Sequence, residues 1–401
     1  MIRVAFVLAG RTGAWLGGLN YYRNLLGAIL AAEDTRLEPL LYVGRGYDRS
    51  DLADFPDVEL RTEPMLDRGT SAWAQRTAWR AGTACDRPLG RLLQRDGVAA
   101  MSHSGHLGRF HAVRSVAWVP DLQHRRLPEY FGRSMWLWRD AKYRAMAHFS
   151  DHLLTGSLAG EQDLLELWPR ARGKTSVLRF VVTPPPDETL PSREELRELY
   201  GLPDRYLYLP NQFWAHKNHV LVVEALRRLR ERAPEVNVVA TGVPYDRRRP
   251  KHFAELMAKA EAAGVGAAFR VLGVVPYEHV TALSRDAVAQ INPSLFEGWS
   301  TTVEEAKSLG KRILLSRIPV HLEQDPPGGE YFDPHDPDEL AGLMEGAFAR
   351  EDPEADRRLA EEARAALPAR RRRFVAEYEE AVSRTVGGGR GSAAQRHQVG
   401  A

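Results

Sequence analysis

Between residues 287 and 310 the chain changes its period once, and that change restricts the fold more than any other stretch. Residues 287–291, Ala-Val-Ala-Gln-Ile, are short, apolar and β-branched, the pattern of a buried parallel strand. Residues 303–309, Val-Glu-Glu-Ala-Lys-Ser-Leu, read as a helix that Gly310 caps. Strand, loop and helix in that order form the repeating unit of a parallel α/β sheet. Glu297 and Glu305 stand eight residues apart here, with Gly298, Trp299, Ser300, Thr301 and Thr302 between them. The Ser-Thr-Thr run falls at the helix start, where free backbone N–H groups and the helix dipole favour an anion such as a diphosphate. A carboxylate on either side is a strong acceptor for sugar hydroxyls. The local chemistry is a phosphate flanked by polyols.

Two further stretches fall where an α/β protein places its ligand loops. Leu209-Pro-Asn-Gln-Phe-Trp-Ala-His-Lys-Asn218 follows a predicted strand and precedes an amphipathic helix. Gly13-Ala-Trp-Leu-Gly-Gly-Leu-Asn20 lies between the first strand and the first helix, and its small residues let backbone approach a ligand. Its spacing is not G-x-G-x-x-G, which argues against dinucleotide binding. Asp121 and His124 end another strand, and Ser102-His103-Ser-Gly-His106 reads as a polar loop, its spacing matching no standard metal-ligand set. Asp336-Pro-Asp338 is formally D-x-D, but a helix start with Asp336 as N-cap and Pro337 at the first position explains it.

The run Asn292-Pro-Ser-Leu-Phe-Glu-Gly298, with Glu305-Ala306 and Gly310-Lys-Arg-Ile-Leu-Leu-Ser316, resembles the E-x7-E region of retaining GT-B glycosyltransferases of family 4. Trp299-Ser-Thr-Thr302 stands where family members commonly have a Phe-Gly-Leu-Pro-like stretch. In the phosphate-binding stretch Lys217 matches the family's Lys, while Asn211 or Gln212 stands near the place of its Arg. The resemblance covers nearly the whole chain. It implies two doubly wound, Rossmann-like α/β domains facing a cleft, with a C-terminal helix crossing back to the N-terminal domain. It implies that Lys217, Asn211, Ser300, Thr301, Thr302 and the Gly17–Gly18 turn hold a donor diphosphate, and that Gly242 and Val274 touch the nucleotide. Glu305 would bind the ribose, and Glu297, beside Gly298 and Trp299, the donor sugar. Asp121 would position sugar and acceptor, with Asn20, His103 and His124 on the acceptor side. Asp121, Glu297 and Lys217 form the expected catalytic set.

The implied activity is retaining transfer of a hexose-type sugar from a nucleotide-diphosphate donor to a hydroxyl of a saccharide, lipid-linked or small-molecule acceptor. No cofactor and no obligatory metal are expected. The alternatives are a nucleotide-sugar epimerase of the same fold, a non-catalytic nucleotide-sugar-binding protein, or an anionic-lipid binder using its arginines.

At 401 residues the chain exceeds one ordinary core. Its 44% hydrophobic and 27% charged content is that of a globular protein, and a net charge of +2 gives no pull toward nucleic acid. The Arg clusters at 247–249 and 370–373 read as solvated faces, with peripheral docking to an anionic membrane as the minority reading. Cys85 is the only cysteine, so no intramolecular disulfide forms. The apolar run at residues 1–9 is too short to span a bilayer and reads as a first strand, and a cytoplasmic location is expected.

Strands are predicted at 2–9, 40–43, 116–119 and 152–155, then at 206–209, 236–241, 269–272, 287–291 and 312–315. The Pro-rich run Thr183-Pro-Pro-Pro-Asp187 suits a hinge. The expected division is an acceptor domain at 1–183, a donor domain at 184–369, a crossing helix at 370–386 and a disordered tail at 387–401. Pro368 is expected to interrupt the last helix.

Overall fold

The computed structural model describes residues 1–8, 16–53, 55–108, 112–350 and 352–388. Residues 9–15, which include the first three of the Gly-rich stretch, and the tail from 389 lie outside the described residues. Strand and helix alternate along the chain and build two parallel sheets. The first contains β1 (Ile2–Leu8), β2 (Leu37–Val43), β3 (Glu59–Thr62), β4 (Ala100–Ser102), β5 (Arg114–Val119), β6 (His152–Thr155) and β7 (Thr175–Val177). The second contains β8 (Leu207–Leu209), β9 (Val238–Thr241), β10 (Phe269–Gly273), β11 (Gln290–Asn292), β12 (Ile313–Ser316) and β13 (Gly329–Phe332).

The spatial orders are β3-β2-β1-β4-β5-β6-β7 and β10-β9-β8-β11-β12-β13. Each therefore reverses once, between β1 and β4 and between β8 and β11. Ligands of open α/β sheets bind beyond the strand carboxyl ends at such a reversal. The Gly-rich turn follows β1, the Asn211–Lys217 stretch follows β8, and the Glu297 loop follows β11. The two Rossmann-like units thus direct their ligand loops from their reversal points.

Every predicted strand is present, the one at 152–155 with the expected ends and the others with shifted ends. The strand expected at 287–291 runs Gln290–Asn292 instead, because Ala287 closes the preceding helix through its N–H to Leu283 O (3.1 Å). Strands β3, β4, β7 and β13 add to the reading. The first, Glu-Leu-Arg-Thr, is an exposed edge strand without an apolar face, and β4 and β7 are three residues each.

Pro368 does not interrupt the last helix, which is continuous over Pro353–Gly387. Proline removes one intrahelical hydrogen bond. Arg364, whose carbonyl loses that partner, and Pro368 are both exposed, so the vacated acceptor need not be buried unpaired. The division expected at 369/370 falls inside this helix. Its later turns bury Phe374, Tyr378 and Val382 in the cluster that holds Phe6 and Leu25 of the first unit. Each such burial is worth about 1.5–3 kcal/mol. Arg370, earlier in the helix, bonds Glu304 of the second unit (2.6 Å). Among the described residues no helix is long and apolar enough to cross a membrane.

The units meet along a tight seam. Trp299 Nε1 donates to Phe180 O (3.3 Å), Ser308 Oγ donates to Val182 O (2.7 Å), and Glu323 accepts from Leu158 N (2.8 Å) and Arg179 Nη2 (2.6 Å). Gly298 lies against the Pro120 carbonyl so closely that any Cβ there would overlap its oxygen. Gly298→Ala should leave both units folded while forcing the seam apart, at a cost of about 1–3 kcal/mol for an overpacked contact. Small-angle scattering should give a larger radius of gyration than the wild type. An unchanged radius would show that this contact does not set the closed arrangement.

Candidate functional site

A cavity of about 750 Å³ lies on the seam, between the two reversal points. Of the residues expected at the site it is lined by Gly18, Asp121, Lys217, Glu297, Gly298, Trp299 and Thr301.

At its centre Lys217 Nζ stands 2.6 Å from Glu297 Oε1, and both side chains are largely buried. Lys217 closes a short helical turn, Ala215–Lys217, before the helix His219–Leu229. Glu297 is fixed from behind by Ser294 Oγ, which donates to Oε1 (2.7 Å) and lies the same distance from Asn292 Oδ1. Asn292 in turn donates through Nδ2 to Ser300 Oγ (2.8 Å) and Thr302 Oγ1 (2.9 Å). One buried amide at the end of β11 therefore organises the carboxylate and the helix start together.

The helix begins at Thr301, with Ser300 in an extended conformation before it. Ser300 N donates to Gln324 Oε1 (3.1 Å), and the first intrahelical bond runs from Glu304 N to Ser300 O (3.2 Å). Ser300 is thus committed to Gln324 and Asn292. The N–H groups of Thr301, Thr302 and Val303 precede the first intrahelical donor and are the ones suited to an anion. Among the three hydroxyl residues only Thr301 reaches the cavity wall.

Asp121, at the end of β5, accepts from Gln123 N (3.0 Å) and from Arg139 Nη2 (2.5 Å). Aromatic rings complete the walls. Tyr21 and Trp118 stack with centroids 4.3 Å apart, and Phe180, Trp214 and Phe296 line other sides. Such faces pack against the C–H faces of a sugar.

Glu305 lies one turn further along the helix, in a separate narrow crevice with Tyr277 and Gln290. Burial pushes its carboxyl up from 4.5 to about 7, opposed by a hydrogen bond to Tyr277 and the nearby Arg23. Arg23 lies over the Tyr277 ring at 4.6 Å. The two glutamates of the motif therefore serve separate compartments.

Several expected residues sit elsewhere. His124 is fully buried in the first unit, ringed by Phe131, Trp136 and Tyr143, and both its ring nitrogens lack a hydrogen bond. Gln123 takes the cavity-facing place, because a helical turn at Gln123–Arg126 rotates the next side chain inward. His103 stands behind the cavity: its Nε2 lies 2.6 Å from the Tyr21 phenol oxygen, its Nδ1 lies 2.8 Å from Ser102 Oγ, and burial pushes its pKa down to about 3. It supports the Tyr21–Trp118 wall from the rear. Asn20 is not in the lining; its carbonyl accepts from Asn24 Nδ2 (2.8 Å). Gly17 lies in the first turn of the helix Leu16–Leu30.

Asn211 is buried beneath the site, its amide directed to Asn292 Oδ1 (3.4 Å) and its own oxygen without a hydrogen-bond partner. Gly242 has φ 141°, and a Cβ there would come 2.6 Å from Asn211 O, so it makes room for the Asn211 loop. Val274 is exposed outside the cavity. Asp336 caps its helix as the sequence suggests, accepting from Asp338 N (2.9 Å) and Glu339 N (3.1 Å).

The first Arg cluster is not a uniformly solvated face. Arg248 crosses the seam, donating to Gln123 Oε1 (2.8 Å) and meeting His216 Nδ1 (3.1 Å), with Asp246 as its ion partner (3.2 Å). Arg249 donates to Glu129 O (3.3 Å), while Arg247 is exposed. In the second cluster Arg370 and Arg373 pair with Glu304 and Glu377.

Comparison with known proteins agrees with this arrangement. Residues 192–366 match the family of glycosyl transferases, group 1. The Anabaena HepE structure in complex with UDP-glucose superposes with a TM-score of 0.69 at 15% identity, covering 96% of this chain and 100% of that one. A glycosyltransferase from Rickettsia africae gives 0.67 at 14% identity, over 97% and 99% of the two chains. Sucrose-phosphate synthase from Thermosynechococcus elongatus gives 0.65 at 16%, over 96% and 98%. At such identities these structures share the fold. The matched stretch, residues 192–366, holds Lys217, Glu297 and Glu305 and is similar to the glycosyl transferases of group 1.

Proposed function

We propose that the chain transfers a hexose-type sugar from a nucleoside-diphosphate donor to a hydroxyl acceptor, with retention at the anomeric carbon and no obligatory metal or cofactor. The supporting observation is the meeting of Lys217, Glu297, Asp121 and the Thr301 helix start in one interdomain cavity. Lys217 would leave Glu297 for the diphosphate, joined by the Thr301–Val303 N–H groups and the Gly17–Gly18 turn. Glu297 would then accept from the sugar hydroxyls, and Glu305 from the ribose. The UDP-glucose bound in the Anabaena structure supports a nucleotide-sugar donor here.

In the transfer step the acceptor oxygen bonds to the anomeric carbon on the face from which the bond to the diphosphate oxygen breaks. The acceptor proton passes to that departing oxygen. Negative charge grows on the diphosphate as the bond breaks, and the Lys217 ammonium and the helix start would stabilise it. Closure of the units excludes water, which competes as acceptor. Residues 1–183 would serve the acceptor and 184–369 the donor, in a cytoplasmic protein.

Calorimetry with UDP, GDP, ADP, dTDP and CDP, without metal, should give micromolar binding of one nucleotide. With that donor class, a folded Lys217→Ala protein should lose roughly 100-fold in turnover, the effect of removing one charge-stabilising donor. Silence from all five nucleotides, or near-normal turnover in the variant, would remove the diphosphate site from the reading.

Product NMR should show the anomeric configuration of the donor, in an assay unaffected by a chelator. An inverted centre would refute retention, and loss of turnover on chelation would refute metal independence.

Glu305 gives a pH signature. A carboxyl raised to about 7 in the folded chain contributes stability below its ordinary 4.5, and that contribution is lost as pH rises through 7. The melting temperature of the wild type should therefore fall, relative to Glu305→Gln, between pH 4.5 and 7. Parallel profiles for the two proteins would contradict the burial of that carboxyl.

A further inference from the structure

Beyond Asp121 and Glu297, away from the helix start, lies a larger space of about 1100 Å³. It shares a wall with the cavity, made by Pro120, Asp121, Gly156, Phe296, Glu297 and Gly298. Lys217 and Thr301 line the cavity alone, so the groups suited to a diphosphate are on one side only.

The rest of the chamber is largely aliphatic. Leu122 and Leu127 come from the first unit, and Leu295, Ile318 and Val320 from the second. Its charged side chains outside the common wall are Arg126 and Asp163, which are spent on each other (Nε to Oδ1, 3.0 Å). A ligand rich in hydroxyls would lose its water there with little replacement, and that costs free energy. An apolar body would gain by burial. Aliphatic walls with a few convergent polar groups at one end are the make-up of a small-molecule site.

We propose that this chamber is the acceptor subsite and that the acceptor is an amphiphile. Its hydroxyl-bearing head lies at Asp121 and Glu297, and its apolar body lies between the leucines of the first unit and Ile318 and Val320 of the second. The proposal rests on the glycosyl-transfer reading above. The common wall contains the contact of Pro120 with Gly298, which belongs to the seam between the units. Head and donor therefore face each other across a joint that parts when the units separate. Because both units supply the aliphatic walls, closure encloses the apolar body at the same time as the donor.

The test compares octyl β-D-glucopyranoside, below its micellar concentration, with methyl β-D-glucopyranoside. Binding of each is measured by saturation-transfer NMR and calorimetry, with and without the best-binding nucleotide of the five. The octyl compound should bind at least about ten-fold tighter, as expected for burying several methylenes. Leu127→Asp, which charges the chamber, and Ala159→Trp, which fills it, should each reduce that preference below about three-fold. Melting curves and nucleotide affinity should stay at wild-type values in both variants. Equal binding of the two glucosides, or a chain preference that survives both variants, would overturn the proposal. Preserved chain preference in a protein that binds none of the five nucleotides would instead sink the transfer reading and leave an amphiphile site.

Discussion

The ion pair of Lys217 with Glu297 is the interaction from which the rest of the site is organised. Two opposite charges removed from water are costly unless each is well partnered. Here the partners are local: Ser294 on the carboxylate, Asn292 behind Ser294, and Ser300 and Thr302 on the Asn292 amide. Gln324 holds Ser300 by both backbone groups and also donates to Glu304 Oε1 (3.1 Å). Glu304 is itself buried against Arg370. The chain of bonds runs from the crossing helix to the cavity, so the position of the carboxylate depends on residues well outside it. Without a ligand, lysine and glutamate neutralise each other. A bare phosphate would satisfy only the lysine, whereas a sugar joined to a diphosphate offers each a partner of its own.

The alternation of apolar strands with amphipathic helices made the two α/β units legible, because buried parallel strands are continuous apolar runs. Three of the four edge strands, β3, β7 and β13, escaped the reading, and Glu59–Thr62 shows why: it has little to bury and so shows no periodicity. Lys217, Glu297 and Asp121 were legible because each lies in a segment that follows a strand on the ligand side of a sheet. The histidines were misread. A polar residue just after a strand looks the same in sequence whether it faces the cleft or the core, and His124 turns inward through one residue of helical rotation. His103 takes φ 60° and is swallowed by the rings of Phe6, Tyr21 and Trp118. The aliphatic chamber has no linear signature, since its walls come from segments about two hundred residues apart.

Arg248 illustrates the reverse case. In sequence it is one of three arginines in a charged loop, and a solvated face is the ordinary reading. In the structure a buried aspartate two residues earlier folds it back, and its guanidinium spans the seam to Gln123. The signal available was the spacing Asp246-x-Arg248 after a strand-ending glycine, which local hydrogen bonding turns inward.

The backbone passes between the units twice, and Ser308 touches both passages. Its hydroxyl donates to the carbonyl of Val182 just before the Pro-rich run, and accepts from Arg370 Nη1 of the long terminal helix (3.4 Å). Two covalent connections side by side behave as a pivot and resist sliding or twisting of one half past the other. The 35-residue helix, about 50 Å long at 1.5 Å per residue, acts as a lever arm anchored in the far core. Opening must then resemble jaws rotating about the neighbourhood of Ser308. Displacement grows with distance from that point, and contacts near it stay almost unchanged through the cycle.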